Sequence, residues 1–301
     1  MKTKSKKIAY FLMVILIFLW GFDYIVAKNA LKVCEPLTLI FIRYVFGVLI
    51  ILAIKLVTNR KFTLRKKDIL FLIVCAIFGE LIYFGAEYTA LSYLPVSIVT
   101  LVLSLVPVVS IIIEFFLYKR RPSVAVIIGC FVSIFGIALI VGADISELLS
   151  GKLTGYLLVL AALISWNIYN FMTAKLTNHY SPFELTLYQL LAAIVVSAPY
   201  AVFNMPDASD IDTMFVLSIA YLAVVSSVIC FIIYVNSIKV VGVTPTALFA
   251  NMLPVTSTLM GWIFLGEMIS PIQMIGGVIV IVAGSVVIYL KNKNDERALK
   301  E

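Results

Sequence analysis

Charged side chains are scarce in this sequence. They make up 13% of its 301 residues, whereas soluble globular proteins carry about 25%. Hydrophobic residues make up 63% of the chain, and the mean hydropathy is +1.11. This composition excludes a soluble globular protein. It predicts an integral membrane protein with too few residues outside its apolar runs for a separate soluble domain.

Side chains suited to catalysis or metal binding are also few. There is one histidine, His179, and the sequence has no His-Glu-x-x-His, Gly-x-Ser-x-Gly or P-loop motif. Its four cysteines are scattered singly, which indicates neither a disulfide framework nor a metal site. We therefore expect no enzymatic activity, no cofactor, no metal ion and no ATP hydrolysis, so that any pumping would use an ion or solute gradient.

Long apolar runs are abundant. A helix that crosses the hydrocarbon core needs about 20 apolar residues, and backbone groups in lipid must be satisfied within the helix. The sequence therefore predicts an all-α integral membrane fold with ten transmembrane helices, which we call spans 1 to 10. Their ranges are 8–29, 36–58, 68–91, 96–118, 124–142, 152–175, 182–203, 213–236, 244–265 and 271–290.

Lysine and arginine predict the orientation of these spans. Nineteen of the 23 basic residues lie on one side, at both termini and in alternate loops. Lys28, Lys32 and Lys152 lie on the opposite side, and Arg43 lies inside span 2. By the positive-inside rule we expect both termini in the cytoplasm and a multi-pass protein of the cell membrane. The net charge of +7 is thus explained by topology and does not indicate a nucleic-acid partner.

The two halves of the chain are related by an internal repeat. The matched pairs are Tyr10 with Tyr156, Trp20 with Trp166 and Pro36 with Pro182 at a shift of 146 residues, Pro107 with Pro254 at 147, and Gly129 with Gly277 and Gly136 with Gly284 at 148. We predict two five-helix repeats, 1–150 and 151–301. An odd number of spans inserts the second repeat in the opposite orientation, an arrangement typical of secondary transporters that work by alternating access.

Short motifs occur along the whole chain. They are Leu19-Trp20-Gly21-Phe22-Asp23-Tyr24, Ala27-Lys28, Pro36, Arg43-Tyr44, Ala90-Leu91-Ser92-Tyr93, Pro107-Val108, Leu265-Gly266-Glu267, Gly276 and Gly284. With these motifs the sequence resembles a known family, the EamA branch of the drug/metabolite transporter superfamily. The resemblance implies a ten-helix protein of the bacterial membrane that exports amino acids, other metabolites or toxic compounds, often with a proton gradient. One departure is visible, because Lys119-Arg120-Arg121 stands where the first half often has an acid matching Glu267.

Four ionisable residues inside the predicted spans are candidates for a substrate or proton pathway. An ionisable group at the centre of a bilayer costs about 3 kcal/mol, so each needs a partner or a function. Asp23 and Arg43 are predicted at similar depth, where they form either a structural ion pair or one that breaks during transport. Glu80 and Glu87 are seven residues apart and are predicted to share one helix face. Glu80, the deepest, is the preferred proton carrier, although it could instead remain protonated or bond a neighbouring helix.

Neutral amides and aromatic residues extend the candidate pathway. The further residues are Trp20, Trp166, Asn167, Asn170, Gln189, which matches Arg43, and Asn251. Such residues can hold a polar, zwitterionic or cationic solute, although amides in spans also serve as interhelical glue. Pro107 and Pro254, near the middles of spans 4 and 9, are predicted to kink these helices and are candidate hinges.

Taken together, these features favour a secondary active transporter working by alternating access. We expect it to export small metabolites such as amino acids, or cationic drugs, with protons as a possible coupling ion. Two other classes stay open: a lipid-carrier flippase, which would need a side opening toward lipid, and a non-transporting sensor or assembly subunit. The expected partners are a small-molecule substrate and membrane lipid, with a homodimer possible through the glycine-rich spans 5 and 10.

Overall fold

A computed structural model of the chain describes residues 2–58, 62–90, 92–94, 96–119, 122–141, 152–266 and 268–298. Every long regular element within these ranges is a helix. The helices are α1 (Lys2–Ala30), α2 (Pro36–Thr58), α3 (Lys66–Ala90), α4a (Val96–Leu103), α4b (Val106–Tyr118), α5 (Val124–Val141), α6 (Leu153–Leu176), α7 (Pro182–Ala201), α8 (Thr213–Val241), α9a (Val243–Ala250), α9b (Leu253–Leu265) and α10 (Pro271–Ala298). The arrangement is all-helical, as predicted.

Eight of the described segments are long and apolar enough to cross a membrane. Two shorter apolar segments, Leu101–Leu117 and Val124–Ile140, coincide with predicted spans 4 and 5. A multi-pass membrane protein is thus confirmed, while the count of ten spans stays a prediction. The boundary predicted between the repeats, at 150 and 151, lies outside the described residues, as do Leu91, Arg120, Arg121 and Glu267.

Helices α4 and α9 are interrupted at equivalent positions. The first breaks at Ser104 and Leu105 and the second at Asn251 and Met252, which are 147 residues apart. Pro107 and Pro254 then occupy the first turn of α4b and α9b. The sequence predicted a kink at each proline. The structure instead has a break in the helix just before each proline. Proline lacks the backbone N–H, so it is tolerated in the first turn of a new helix.

Helices α3 and α8 each contain a π-helical segment. These are Ile77–Ile82 and Leu222–Cys230, and a shift of 146 residues places the first within the second. Hydrogen bonds in a π-turn run from i to i+5, so the turn is wider than in an α-helix, and such turns are frequent at functional sites. The repeat thus extends to local departures from α-helical geometry that no single residue type marks in the sequence.

Contacts between the two halves of the chain build the core. Helix α2 packs on α7 and α5 on α10, and α3 packs on α6 as α8 packs on α1. At the α5–α10 contact the backbones approach closely, because a Cβ atom at Gly276 would lie 2.5 Å from the carbonyl oxygen of Gly136. Glycine is therefore required there by the spacing of the helices.

Candidate functional site: a cavity between the two halves

One cavity lies between α1, α3, α4, α6 and α9. It encloses about 910 Å³, including the part that is continuous with solvent. The residues that line it are Trp20, Asp23, Ala27, Tyr83, Phe84, Glu87, Tyr88, Leu103, Ser104, Val106, Trp166, Ala250, Asn251, Leu253, Pro254 and Ser257.

Aromatic rings form one wall of this cavity. The ring centroids of Trp20 and Trp166, equivalent residues of the two repeats, lie 6.4 Å apart, and the ring planes meet at 65°. Tyr83 lies 4.5 Å from Trp166, and Phe84 lies 6.5 Å from the same indole. These ring faces carry negative electrostatic potential, which attracts cations. The structure therefore brings the two predicted tryptophans together at the site.

Two of the predicted carboxylates face the same space. Asp23 lines the cavity, and its buried Oδ1 has no hydrogen-bond partner. Glu87 also lines it and accepts a hydrogen bond from the Tyr83 hydroxyl at 3.4 Å. Among the described residues, no lysine or arginine is part of the lining. The cavity is thus acidic and aromatic, a combination suited to a cation.

The interrupted helices supply neutral polar groups to the cavity. Asn251 Nδ2 donates a hydrogen bond of 3.0 Å to the carbonyl oxygen of Ser104, so the break in α9 is joined to the break in α4. Ser257, one turn into α9b, also lines the space. Both second segments begin here, and the start of a helix carries partial positive charge. This part of the cavity can therefore accept an anionic or neutral polar group.

Behind the cavity wall, Arg43, Tyr44 and Glu80 form a buried cluster. Arg43 Nη2 donates to the Tyr44 hydroxyl at 3.0 Å, and that hydroxyl donates to Glu80 Oε2. Arg43 Nε and Nη1 and Glu80 Oε1 are buried without hydrogen-bond partners. The guanidinium carbon lies 4.6 Å from the ring of Phe84, which lines the cavity.

This geometry differs from two sequence-based expectations. Arg43 is hydrogen-bonded through Tyr44 to Glu80, and its interaction with Asp23 is electrostatic and without a hydrogen bond. Glu80 and Glu87 do not share one face, because Glu87 lines the cavity while Glu80 points to Tyr44. Glu80 lies inside the π-helical segment, whose wider turns change the angle that seven residues subtend.

Of the four predicted amides, one lines the cavity and three do not. Asn251 lines the cavity, whereas Asn167, Asn170 and Gln189 are buried in contacts between helices. Their hydrogen bonds are Ser110 Oγ to Asn167 Oδ1 (2.7 Å), Tyr234 Oη to Asn170 Oδ1 (2.9 Å), Tyr169 Oη to Gln189 Oε1 (3.3 Å) and Gln189 Nε2 to Thr173 Oγ1 (2.9 Å). In this conformation these three amides join helices and do not face the cavity.

At the end of the molecule predicted to face the cytoplasm, Tyr180 joins the two halves. Its hydroxyl donates to Asp68 Oδ2 at 2.9 Å and accepts from the backbone N–H of Arg65 at 3.2 Å. Its carbonyl oxygen accepts from Lys239 Nζ at 3.3 Å. Burial raises the pKa of Tyr180, and nearby Asp68 adds to this, so the hydroxyl remains a donor at neutral pH. We call these four residues the inner latch.

Several residues of the site were not predicted as site residues, among them Tyr44, Phe84 and Ser104. Phe84 is an ordinary aromatic residue in an apolar run, and Tyr44 appeared only as part of the Arg43-Tyr44 motif. Ser104 could have been found, because the shift of 147 residues that matches the two prolines also matches Ser104 with Asn251. The internal repeat was therefore a stronger guide to the site than residue type.

Comparisons with known proteins agree with this architecture. The sequence model described as the EamA-like transporter family matches twice, at residues 7–142 and 153–290. An uncharacterized transporter of Clostridium kluyveri is 23% identical over 86% of this chain and 85% of its own length. A probable terminal-alkyne amino-acid exporter of Streptantibioticus cattleyicolor is 24% identical over 71% of each chain. One crystal structure superimposes with a TM-score of 0.78 at 19% identity, covering 94% of this chain and 98% of that chain.

Proposed function

Because the chain belongs to the EamA-like transporter family, we propose that it exports small organic molecules that carry a protonated amine, such as amino acids or cationic drugs. One observation carries this proposal. The cavity between the halves presents two carboxylates and several aromatic faces, with no basic side chain among its described lining residues. This is the environment that stabilises an ammonium group.

The rest of the lining supports a molecule with an apolar body. Leu103, Val106 and Leu253 face the same space, and they gain free energy by contact with apolar parts of the substrate. The Asn251 amide offers a partner for a carboxylate, which an amino acid has and a simple amine lacks, and the start of α9b adds partial positive charge. The amino-acid exporter among the relatives is consistent with the zwitterionic alternative.

Transport would follow if each repeat adopted the arrangement that the other repeat has in this structure. The cavity residues of α1 and α3 lie in the parts of those helices that the lysine and arginine distribution assigns to the outer side, with both termini cytoplasmic. We therefore assign the structure to an outward-facing state, closed on the cytoplasmic side by the inner latch. Opening of the other side would expose the equivalent residues of the second half, such as Thr173, which matches Ala27.

Counterflow in liposomes containing the purified protein tests the proposal. The panel is phenylalanine, 2-phenylethylamine and 2-phenylethanol, which share one ring and differ in charge. Above the passive leak of protein-free liposomes, we expect exchange of the amine and the amino acid and none of the neutral alcohol. Asp23→Asn should reduce this exchange. Glu114→Gln should not, because Glu114 on α4b is outside the cavity lining. If none of the three molecules is moved, or all three are moved equally, the proposal is wrong.

A further inference from the structure

We propose that Glu80 is a proton site separate from the substrate site and that Arg43 couples the two, so that a substrate cation at Asp23 and a proton on Glu80 exclude each other. The inference rests on the proposed function, since it requires a cationic group in the cavity. It concerns the three charged residues Asp23, Arg43 and Glu80 and the Tyr44 hydroxyl between two of them.

The charges of this cluster do not balance when all three groups are ionised. Arg43 contributes one positive charge, and Asp23 and Glu80 contribute one negative charge each. Arg43 and Glu80 are fully buried, and Asp23 Oδ1 is buried as well. An uncompensated charge in such surroundings is strongly unfavourable. Arg43 can compensate one of its two acids, and either a proton or a bound ammonium group compensates the other.

The positions of the two acids decide which ligand each one takes. Asp23 lines the cavity and can reach a substrate. Glu80 is outside the lining and fully buried, so a proton can reach it but an organic cation cannot. Its Oε2 accepts from Tyr44, whereas Oε1 has no partner and is the atom on which the proton would reside.

Arg43 is placed to connect the acids. It interacts electrostatically with Asp23 and Tyr88, and it reaches Glu80 through the Tyr44 hydroxyl. When Glu80 holds a proton, Arg43 compensates Asp23. When an ammonium group compensates Asp23, Arg43 is available to Glu80, and the proton leaves its carboxyl group for the solvent. One cation moves outward as one proton moves inward, and no other reactant is needed.

Apart from Glu87, the other polar groups around the cluster carry no formal charge in their ordinary protonation states. Glu80 faces Tyr44 on α2, Tyr169 on α6 and Cys75 on its own helix. Asp23 faces groups on α2, α3 and α8, which are Arg43, Tyr88, Ser226, Tyr221 and Cys230. Glu87, the other acid of the cavity, has the Tyr83 hydroxyl as a partner.

Proton release on binding tests this coupling directly. Purified protein in weakly buffered detergent, with a pH-sensitive dye, is mixed with 2-phenylethylamine, and binding is followed by tryptophan fluorescence. We expect one proton released for each amine bound by the wild-type protein. Glu80→Gln should bind without release, whereas Glu114→Gln should behave as the wild type. Binding with undiminished release by Glu80→Gln would overturn the inference and leave the proposed function intact.

A second pair of variants keeps the test decisive if Glu80→Gln does not fold. Tyr44→Phe removes the donor to the Glu80 carboxylate, which favours the protonated form, so half-maximal release should move to higher pH. Tyr234→Phe, which removes a buried hydroxyl bonded to Asn170 in the other half, should leave the profile unchanged. Equal profiles for these two variants would contradict the coupling. Absence of amine binding by the wild-type protein would instead refute the proposed function.

Discussion

The two halves of this transporter share their shape and differ in their charge. Equivalent positions carry the two cavity tryptophans, both helix breaks and both π-helical segments. In contrast, Arg43 corresponds to Gln189, Glu80 to Ser226 and Asp23 to Tyr169 at a shift of 146 residues. Under the proposed mechanism both halves bend and therefore need the same shape, whereas the charged cluster acts once in each transport cycle.

The largest expected effect on stability comes from replacing a charged residue of the first half with its neutral counterpart from the second half. Arg43→Gln leaves Glu80 and Asp23 without their buried cation, which we expect to lower the free energy of unfolding by about 3–5 kcal/mol. Thermal unfolding in detergent measures the change. The double variant Arg43→Gln with Glu80→Gln should recover at least half of the loss, because the two residues interact. Simple additivity of the two single changes would show that they do not.

A smaller effect, on substrate binding, is expected from neutralising Asp23, the acid that lines the cavity. Asp23→Asn should weaken binding of 2-phenylethylamine about 30-fold, which corresponds to about 2 kcal/mol. At the equivalent position of the second half, Tyr169→Phe should change binding less than twofold, because its hydroxyl bonds Gln189 away from the cavity. Competition binding on the purified variants compares them. Similar losses at both positions would contradict the proposed asymmetry of charge.

The shared shape can be perturbed at the α5–α10 contact. Gly276→Ala places a methyl group against the Gly136 carbonyl, which should cost about 1–3 kcal/mol in thermal stability. Its neighbour provides the control, since the nearest atom to a Cβ at Gly277 is Val255 Cγ1 at 3.6 Å. Gly277→Ala should therefore be neutral or slightly stabilising. If the two alanine variants melt alike, the close approach of these helices is not real.

The smallest effect is expected at the inner latch. Tyr180→Phe removes hydrogen bonds to Asp68 and Arg65, which together stabilise the closed side by about 1 kcal/mol. A cysteine replacing Thr173, buried in this state, should then react severalfold faster with a membrane-impermeant thiol reagent from the cytoplasmic side. Tyr289→Phe on the exposed surface of α10 is the control. Slower or equal labelling would argue against a latch.

Sequence alone predicted the helices well and the site only in part. Apolar runs and charge located the segments, and the repeat matched Trp20 with Trp166, which the structure places together. The separation of Glu80 from Glu87 was missed, because periodicity arguments assume an α-helix and Glu80 lies in a π-helical turn. The amides Asn167 and Gln189 bond other helices in this structure, and their place in a pathway stays a prediction. Residue type alone does not show which neighbour a polar side chain bonds.

The hydrogen bond between Asn251 and Ser104 joins two residues that correspond to each other in the repeat. In the predicted inverted arrangement of the repeats, such a pair lies near the axis that relates the two halves, so it belongs equally to the outer and the inner side of the protein. A substitution elsewhere in the cavity can retune one side and leave the other as it was. A substitution at Ser104 or Asn251 alters both sides at once. Evolution can therefore change direction and selectivity more freely at other cavity positions than at these two.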